Sequence, residues 1–151
     1  MQASQAGSLP SPTSAQLQAL KAFRNLPLPD QITFLSSLTM EQVYSLLYDW
    51  ELWARPEQRE PLMPWTVWAI ITGRGFGKTL TGAQTTRRKV EREHVKHIAL
   101  VAPTAADARD VMVGLDPDSS GLLQVCPPWN RPEYHPSYRN AVWPNGTTAT
   151  L

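Results

Sequence analysis

Apolar residues in the first third of the chain recur every three or four positions, which is the period of an amphipathic helix. The pattern predicts helices at residues 14–25, 30–38 and 39–54, with prolines between the first two. Thr39 and Gln42 have the spacing of a capping box at the start of the third helix. The third helix carries the clearest apolar stripe, formed by Val43, Leu46, Leu47, Trp50 and Trp53.

These helices predict a small helical cap at residues 14–54, packed through its apolar stripe. The alternative for the stripe is a surface that contacts protein or DNA. Residues 1–13 are rich in Ser, Gln, Ala and Pro, and we interpret them as a disordered tail.

A second pattern begins where a continuous apolar run meets a glycine-rich turn. Residues 67–71 have the length and composition of a buried strand, and a helix is predicted from Lys78 to about Glu93. Leu80, Ala83 and Val90 are expected on the buried face of this helix. Its cations are expected to face water or a polyanion, and they are Arg87, Arg88, Lys89 and Arg92.

The remaining elements continue an alternation of strands and helices. Residues 98–102 form a short apolar run, as expected of a parallel strand that is buried on both faces. Thr104 and Gly114 mark the start and end of a following helix, and residues 114–137 are loop-like. Two β-prone runs, 138–143 and 147–151, flank a Pro-Asn-Gly turn and predict a hairpin. The fold class that follows is α/β, with an incomplete parallel sheet preceded by the helical cap.

The stretch Thr-Gly-Arg-Gly-Phe-Gly-Lys-Thr at residues 72–79 is predicted to be a phosphate-binding loop. Three glycines, Gly73, Gly75 and Gly77, allow the backbone to turn its N–H groups toward an anion. Lys78 can reach the β and γ phosphates, and the Thr79 hydroxyl can ligate Mg²⁺. ATP with Mg²⁺ is therefore the expected ligand. The alternative is a glycine-rich turn without a ligand, and Thr72 stands where the usual pattern has glycine.

A proline-punctuated loop at residues 55–65 leads into the predicted strand before the glycines. A loop in this position can lie beside the base of a nucleotide whose phosphates occupy the glycine turn. The Gln58 side chain carries both a donor and an acceptor, which suit the edge of adenine. Gln58 is the candidate adenine-binding residue, and a solvated surface glutamine is the alternative.

Composition narrows the class of protein without adding a site. The 151 residues suit one domain or part of one, and a net charge of +1 gives no global attraction to nucleic acid. The single cysteine, Cys126, excludes an internal disulfide framework and is expected to be a small buried residue. His94 and His97 lack the neighbouring ligands of a metal site. Without a secretory signal or a long apolar run, the sequence predicts a cytoplasmic protein with no membrane contact.

The predicted hairpin reaches Leu151 before any strand that could carry an acidic Mg²⁺ ligand. We therefore expect residues 55–151 to be the N-terminal part of a longer ATPase domain, unable to hydrolyse ATP alone. A complete, compact nucleotide-binding protein is the alternative.

The order of several short motifs resembles the large subunit of tailed-bacteriophage terminase. The resemblance covers roughly residue 40 to the end, and the joint order is more specific than the phosphate loop alone. The motifs are Trp-Glu-Leu-Trp-Ala-Arg-Pro-Glu-Gln at 50–58, the phosphate loop at 72–79, Ala-Leu-Val-Ala-Pro-Thr at 99–104, Ala-Asp-Ala-Arg-Asp-Val-Met at 106–112, Ser-Gly-Leu-Leu at 120–123 and Val-Trp-Pro-Asn-Gly at 142–146.

The resemblance implies a P-loop NTPase of the RecA/ASCE type that uses ATP and Mg²⁺ to package double-stranded DNA into procapsids. It implies a phage- or prophage-encoded protein in the bacterial cytoplasm, acting as an oligomeric ring with a portal protein and a terminase small subunit. Full-length members also carry a C-terminal metal nuclease.

The resemblance also implies roles for individual residues. It places Gln58 in the adenine motif, Lys78 and Thr79 in the nucleotide loop, and Arg74 beside the γ-phosphate. Arg139 and Arg131 are candidates for an arginine finger acting on a neighbouring subunit. The alternatives are another P-loop ATPase such as a helicase, a truncated nucleotide-binding module without turnover, and a structural remnant without a ligand.

Overall fold

The fold combines helices with a small mixed sheet. The computed structural model describes residues 22–23, 25–93 and 95–151, so the tail at 1–13 and most of the helix predicted at 14–25 lie outside the described residues. The chain divides into two compact units, of which the first ends at Arg55 and the second begins at Pro56.

The first unit contains three described helices, α1 (Leu28–Ser36), α2 (Met40–Leu47) and α3 (Trp50–Trp53). The predicted capping box is confirmed at the start of α2. The Gln42 backbone N–H donates to Thr39 Oγ1 at 3.3 Å, and the Thr39 N–H donates to Gln42 Oε1 at 2.8 Å. Two N–H groups that the helix itself cannot pair are thereby satisfied.

The prediction of one continuous helix at residues 39–54 is wrong, because this segment forms two helices, α2 and α3, with a break between them. Asp49 caps the N-terminus of α3, with its Oδ1 accepting a hydrogen bond from the Glu51 N–H at 3.0 Å. Short polar side chains of this kind compete with helical backbone bonding and favour a new start. Trp50 is buried while Leu47 and Trp53 are exposed, so only part of the predicted stripe is core.

The second unit is built from one long helix and a four-stranded sheet. Helix α4 (Lys78–Arg92) begins and ends close to its predicted bounds. The strands are β1 (His97–Ala99), β2 (Glu133–His135), β3 (Asn140–Val142) and β4 (Thr148–Thr150), in the spatial order β1-β4-β3-β2. Strands β1 and β4 are parallel, and the other two pairs are antiparallel.

Shorter elements connect these strands and the long helix. A π-helix spans Asp107–Val113, helix α5 spans Leu122–Val125, and 3₁₀ turns cover Pro56–Gln58, Pro128–Asn130 and Pro136–Tyr138. The region 114–137 that the sequence marked as loop thus contains α5 and β2. These elements are only three or four residues long, too short for a hydrophobic period to identify.

The predicted hairpin is confirmed by the pairing of β3 with β4, which places Ala141 opposite Ala149. Its turn depends on Gly146, whose φ of 84° is unfavourable for residues with a Cβ. The Asn145 side chain supports the turn by accepting a hydrogen bond from the Thr147 N–H at 3.0 Å.

The core of the second unit lies between α4, α5 and the sheet. Its buried apolar residues are Ala83, Val90, Leu100, Val113, Leu122, Val125, Cys126, Ala141, Trp143 and Ala149. The predictions that Cys126, Ala83 and Val90 are buried are confirmed. Burial raises the pKa of the Cys126 thiol to about 12, so this side chain is a neutral part of the core at physiological pH.

The strand predicted at residues 67–71 is wrong, since none of these residues is in a strand. Val67 and Ile71 are 82% and 93% exposed, so the run does not lie in the described core. The parallel partner of β1 is β4 instead. The prediction that β1 is buried on both faces is also wrong, because His97 and Ala99 are exposed and Ile98 is only half-buried.

The prediction that Arg87 faces water is wrong, because its side chain is buried. Arg87 lies one helical turn from Ala83 on the same face of α4. Its Nη1 donates to the Val125 carbonyl at 3.1 Å, and its Nε lies 3.5 Å from Glu91 Oε1. Val125 is the last residue of α5, and the carbonyls at the end of a helix have no partner within it. The buried Arg87 guanidinium therefore supplies a donor for the Val125 carbonyl.

Among the helices described here, none combines the length and apolar character that crossing a bilayer requires.

Candidate functional site

The glycine-rich loop turns into α4 through backbone conformations that favour glycine. Gly75 and Gly77 have φ angles of 82° and 89°, and Gly77 is the N-cap residue of α4. No side chain of the described residues caps this helix. Its first N–H groups and the positive end of its dipole are thus left to an external acceptor. This is the local arrangement that binds phosphate in other helix N-termini.

An open cavity of about 370 Å³ lies at this helix start. Its volume falls within the usual range for small-molecule sites. One wall comes from the glycine loop and the first turn of α4, and the other from the π-helix and the chain after it. The lining residues are Arg74, Gly75, Gly77, Lys78, Thr79, Leu80, Val111, Asp118, Ser119 and Ser120.

The Lys78 ammonium is folded back across the loop. Its Nζ donates to the Thr72 carbonyl at 3.1 Å and to the Gly73 carbonyl at 2.9 Å. An ammonium group carries three donors, so these two contacts leave one for a further acceptor. Position 72 contributes a backbone carbonyl to this contact, which any residue can supply. The threonine found there in place of glycine is therefore compatible with the observed loop.

Gln58 lies against the loop and is only 4% exposed. Its Nε2 donates to the Phe76 carbonyl at 3.2 Å. A Cβ at Gly77 would lie 2.9 Å from the same Nε2, so the glutamine packs where only glycine leaves room. The interpretation of Gln58 as a solvated surface residue is therefore wrong. Its amide supports the loop backbone, and adenine binding stays a prediction.

The opposite wall of the cavity is a short loop closed by two glycines. Gly114 has a φ of 93° and ends the π-helix, which confirms the predicted stop. A Cβ on Gly121 would lie 2.6 Å from Gly114 Cα, so the two backbones touch. Gln124 Nε2 adds a hydrogen bond to the Gly114 carbonyl at 3.0 Å.

Within this closed loop, a second set of hydrogen bonds fixes the backbone. The Asp118 N–H donates to Asp116 Oδ1 at 3.0 Å, and the Ser119 N–H donates to the Asp116 carbonyl at 3.0 Å. The loop therefore holds Asp118, Ser119 and Ser120 at the cavity. The sequence interpretation did not identify these three residues as part of the site. The sequence feature that could have identified them is the pair of glycines, Gly114 and Gly121, on either side of a short polar stretch.

Arg139 lies elsewhere, at a separate cavity of about 210 Å³ that Arg109 and Tyr134 also line. Its φ of 48° makes it the one described residue other than glycine with a left-handed backbone. Arg109 is occupied by Asp110, with nitrogen to oxygen distances of 2.6 and 2.7 Å. These bonds lower the pKa of the Asp110 carboxyl.

Five of the predicted ligand residues therefore share one cavity, namely Arg74, Gly75, Gly77, Lys78 and Thr79. The lining does not include Gln58, Gly73 or Arg139. Within the described part of the chain, no cluster of three His, Cys, Asp or Glu side chains could hold a metal ion. A divalent ion here would depend on a ligand's own oxygens, with Thr79 as a neighbouring hydroxyl.

Comparison of the chain with protein-family models, curated proteins and solved structures finds no match.

Proposed function

We propose that the second unit binds the phosphates of ATP together with Mg²⁺, as a P-loop NTPase domain of the RecA/ASCE type. The observation that carries the proposal is the cavity at the start of α4. There, two glycines with positive φ, Lys78 and Thr79 converge on a helix N-terminus without a side-chain cap.

The residues predicted from the sequence have distinct chemical roles in this proposal. Lys78 and Arg74 supply positive charge to the β and γ phosphates, and the first N–H groups of α4 donate to their oxygens. The Thr79 hydroxyl ligates the Mg²⁺ that the phosphates carry. Gln58 stabilises the loop through its hydrogen bond to the Phe76 carbonyl, and in the proposal it also contacts adenine. In the proposal, Arg139 is an arginine finger that acts on the nucleotide of a neighbouring subunit.

The wider function rests on the motif order described above. We propose that the chain is the ATP-binding segment of a motor resembling the terminase large subunit, which packages double-stranded DNA. Its partners would be DNA, a portal protein and a terminase small subunit, in the cytoplasm of a bacterial host.

A nucleotide-binding module without turnover is the second candidate. Of the described residues that line the cavity, Asp118 is the one carboxylate, whereas hydrolysis requires groups that position Mg²⁺ and the attacking water. Measured ATP hydrolysis above that of a Lys78→Ala variant would eliminate this candidate.

Displacement of a fluorescent ATP analogue tests the phosphate assignment. We expect ATP and ADP to displace the analogue in the presence of Mg²⁺, and AMP to be at least tenfold weaker, because Lys78 and the helix N-terminus contact the outer phosphates. Equal displacement by AMP and ATP would contradict contacts between this loop and the β and γ phosphates. It would favour recognition of the nucleoside and its α-phosphate.

A further inference from the structure

A carboxylate lies in a cavity that we otherwise assign to an anion. Asp118 lines the same cavity as Lys78, Arg74 and Thr79. Within the described residues, Asp118 takes part in one hydrogen bond, and this is made by its backbone N–H. Its negative charge is therefore not committed to an ion pair with any other described residue.

The loop fixes the backbone of Asp118 beside the cavity. The Gly114–Gly121 contact closes its base, and Asp116 accepts hydrogen bonds from the N–H groups of Asp118 and Ser119. The Ser119 hydroxyl also accepts a hydrogen bond from the Gly121 N–H at 3.4 Å. These bonds restrict the backbone on both sides of Asp118. Asp118 therefore lines the cavity from a backbone that these hydrogen bonds restrict, while its side chain is exposed.

Such a charge affects bare and metal-bound phosphate in opposite ways. A carboxylate repels phosphate oxygens and so weakens the binding of a metal-free nucleotide. A Mg²⁺ ion bound to the phosphates is attracted by the same carboxylate. Because Mg²⁺ keeps several of its waters when it binds to proteins, the attraction needs no direct ligation.

We propose that Asp118 is a specificity-determining residue that makes the cavity select the Mg²⁺-bound form of a nucleoside triphosphate over the metal-free form. This inference rests on the proposed phosphate site and extends it to the opposite wall. Lys78, Arg74 and the start of α4 provide affinity for phosphate. Asp118 reduces that affinity when the phosphate carries no metal.

The test compares ATP binding to the full chain and to Asp118→Asn by calorimetry, in Mg²⁺ and in EDTA at equal ionic strength. Glu133→Gln is the matched control, since Glu133 is exposed, lies in β2 outside the cavity lining and loses the same charge. For Asp118→Asn we expect about fivefold tighter binding of metal-free ATP and about fivefold weaker binding of Mg²⁺-ATP. The control should match the original chain.

The outcomes separate the two proposals. If the original chain binds Mg²⁺-ATP but Asp118→Asn keeps the same ratio of the two affinities, the role of Asp118 is overturned and the phosphate site stands. If the original chain binds neither form, both are overturned. Should Asp118→Asn fail to fold, Asp118→Ser provides a second neutral variant. Asp118→Glu should retain the metal preference, and its loss there would also overturn the role of charge.

Discussion

At the scale of single residues, the candidate site depends on side chains that bind to backbone. Lys78 donates to the carbonyls of Thr72 and Gly73, and Gln58 donates to the carbonyl of Phe76. Both side chains therefore help to fix the path of the glycine loop. In the proposed complex, the third donor of the Lys78 ammonium remains for phosphate oxygens, and the buried Gln58 contact can persist.

Replacing Gln58 with alanine tests the support that it gives the loop. We expect Gln58→Ala to lower the free energy of unfolding by about 1–3 kcal/mol, because it removes a buried side chain and its hydrogen bond to the Phe76 carbonyl. Binding of both ATP and GTP should weaken, with the larger loss for ATP if the amide also reads adenine. Denaturant unfolding and calorimetry measure the two effects.

Glu57→Ala is the control for this substitution, since Glu57 is exposed in the same 3₁₀ turn. It should change stability by less than about 0.5 kcal/mol. A Gln58→Ala variant that matches this control in both assays would show that the contact with Phe76 has no role.

At the scale of elements, the proposed phosphate site depends on the junction between the glycine loop and α4. Gly77 must adopt a φ of 89° for the chain to enter the helix, and Gln58 occupies the space that a side chain would need. Gly82 lies farther along the same helix, and a Cβ there would meet no atom within 4 Å. Gly77 thus has a physical reason to be glycine, whereas Gly82 has ordinary helical backbone with room for a Cβ, which makes the two a matched pair.

Alanine at these two positions should have opposite effects on stability. Gly77→Ala should destabilise the protein by about 1–2 kcal/mol, because a Cβ is unfavourable at positive φ and contacts Gln58. Gly82→Ala should stabilise it by about 0.5–1 kcal/mol through improved helix propensity. Urea unfolding of both variants provides the comparison. Effects of the same sign would contradict the observed loop conformation.

At the scale of the whole molecule, the described core of the second unit lies between α4, α5 and one side of a small sheet. Leu122 is among its fully buried residues, whereas Ile71 is 93% exposed despite its apolar character. The apolar run before the glycine loop is therefore not part of this core. Its contribution to the stability of the chain should be small.

Two alanine substitutions test whether the core includes Leu122 and excludes the apolar run at residues 67–71. Leu122→Ala should lower the free energy of unfolding by about 2–5 kcal/mol, because it removes buried methyl groups and leaves a cavity. Ile71→Ala should change it by less than about 0.5 kcal/mol, as is usual for exposed positions. Thermal and urea unfolding report both values. A loss of several kcal/mol for Ile71→Ala would mean that residues 67–71 are buried in solution.

The features that the sequence predicted correctly are those with local causes. The capping box at Thr39, the start of α4 at Lys78 and the hairpin turn at Gly146 each depend on residues only a few positions apart. The helix stop at Gly114 has the same origin. Local backbone chemistry was sufficient to place these four features.

The features that the sequence predicted wrongly depend on distant partners. Arg87 is buried because the Val125 carbonyl, 38 residues away in the chain, needs a donor. Exposure of residues 67–71 depends on which strand pairs with β1, and apolar composition alone does not specify that partner. Asp118, which the sequence interpretation missed, lines the cavity in a loop closed by the contact of Gly114 with Gly121, and hydrophobic periodicity does not reveal that contact.

The central claim is that the glycine loop binds a nucleotide through its phosphates. Calorimetric titration of Mg²⁺-ATP into the chain and into Lys78→Ala tests it most directly. Lys96→Ala serves as the control because Lys96 is an exposed lysine outside the cavity lining. We expect measurable binding to the original chain and to Lys96→Ala, and a loss of at least about 100-fold in Lys78→Ala, since a charge-assisted contact to phosphate disappears. Equal affinity in all three proteins would contradict the account.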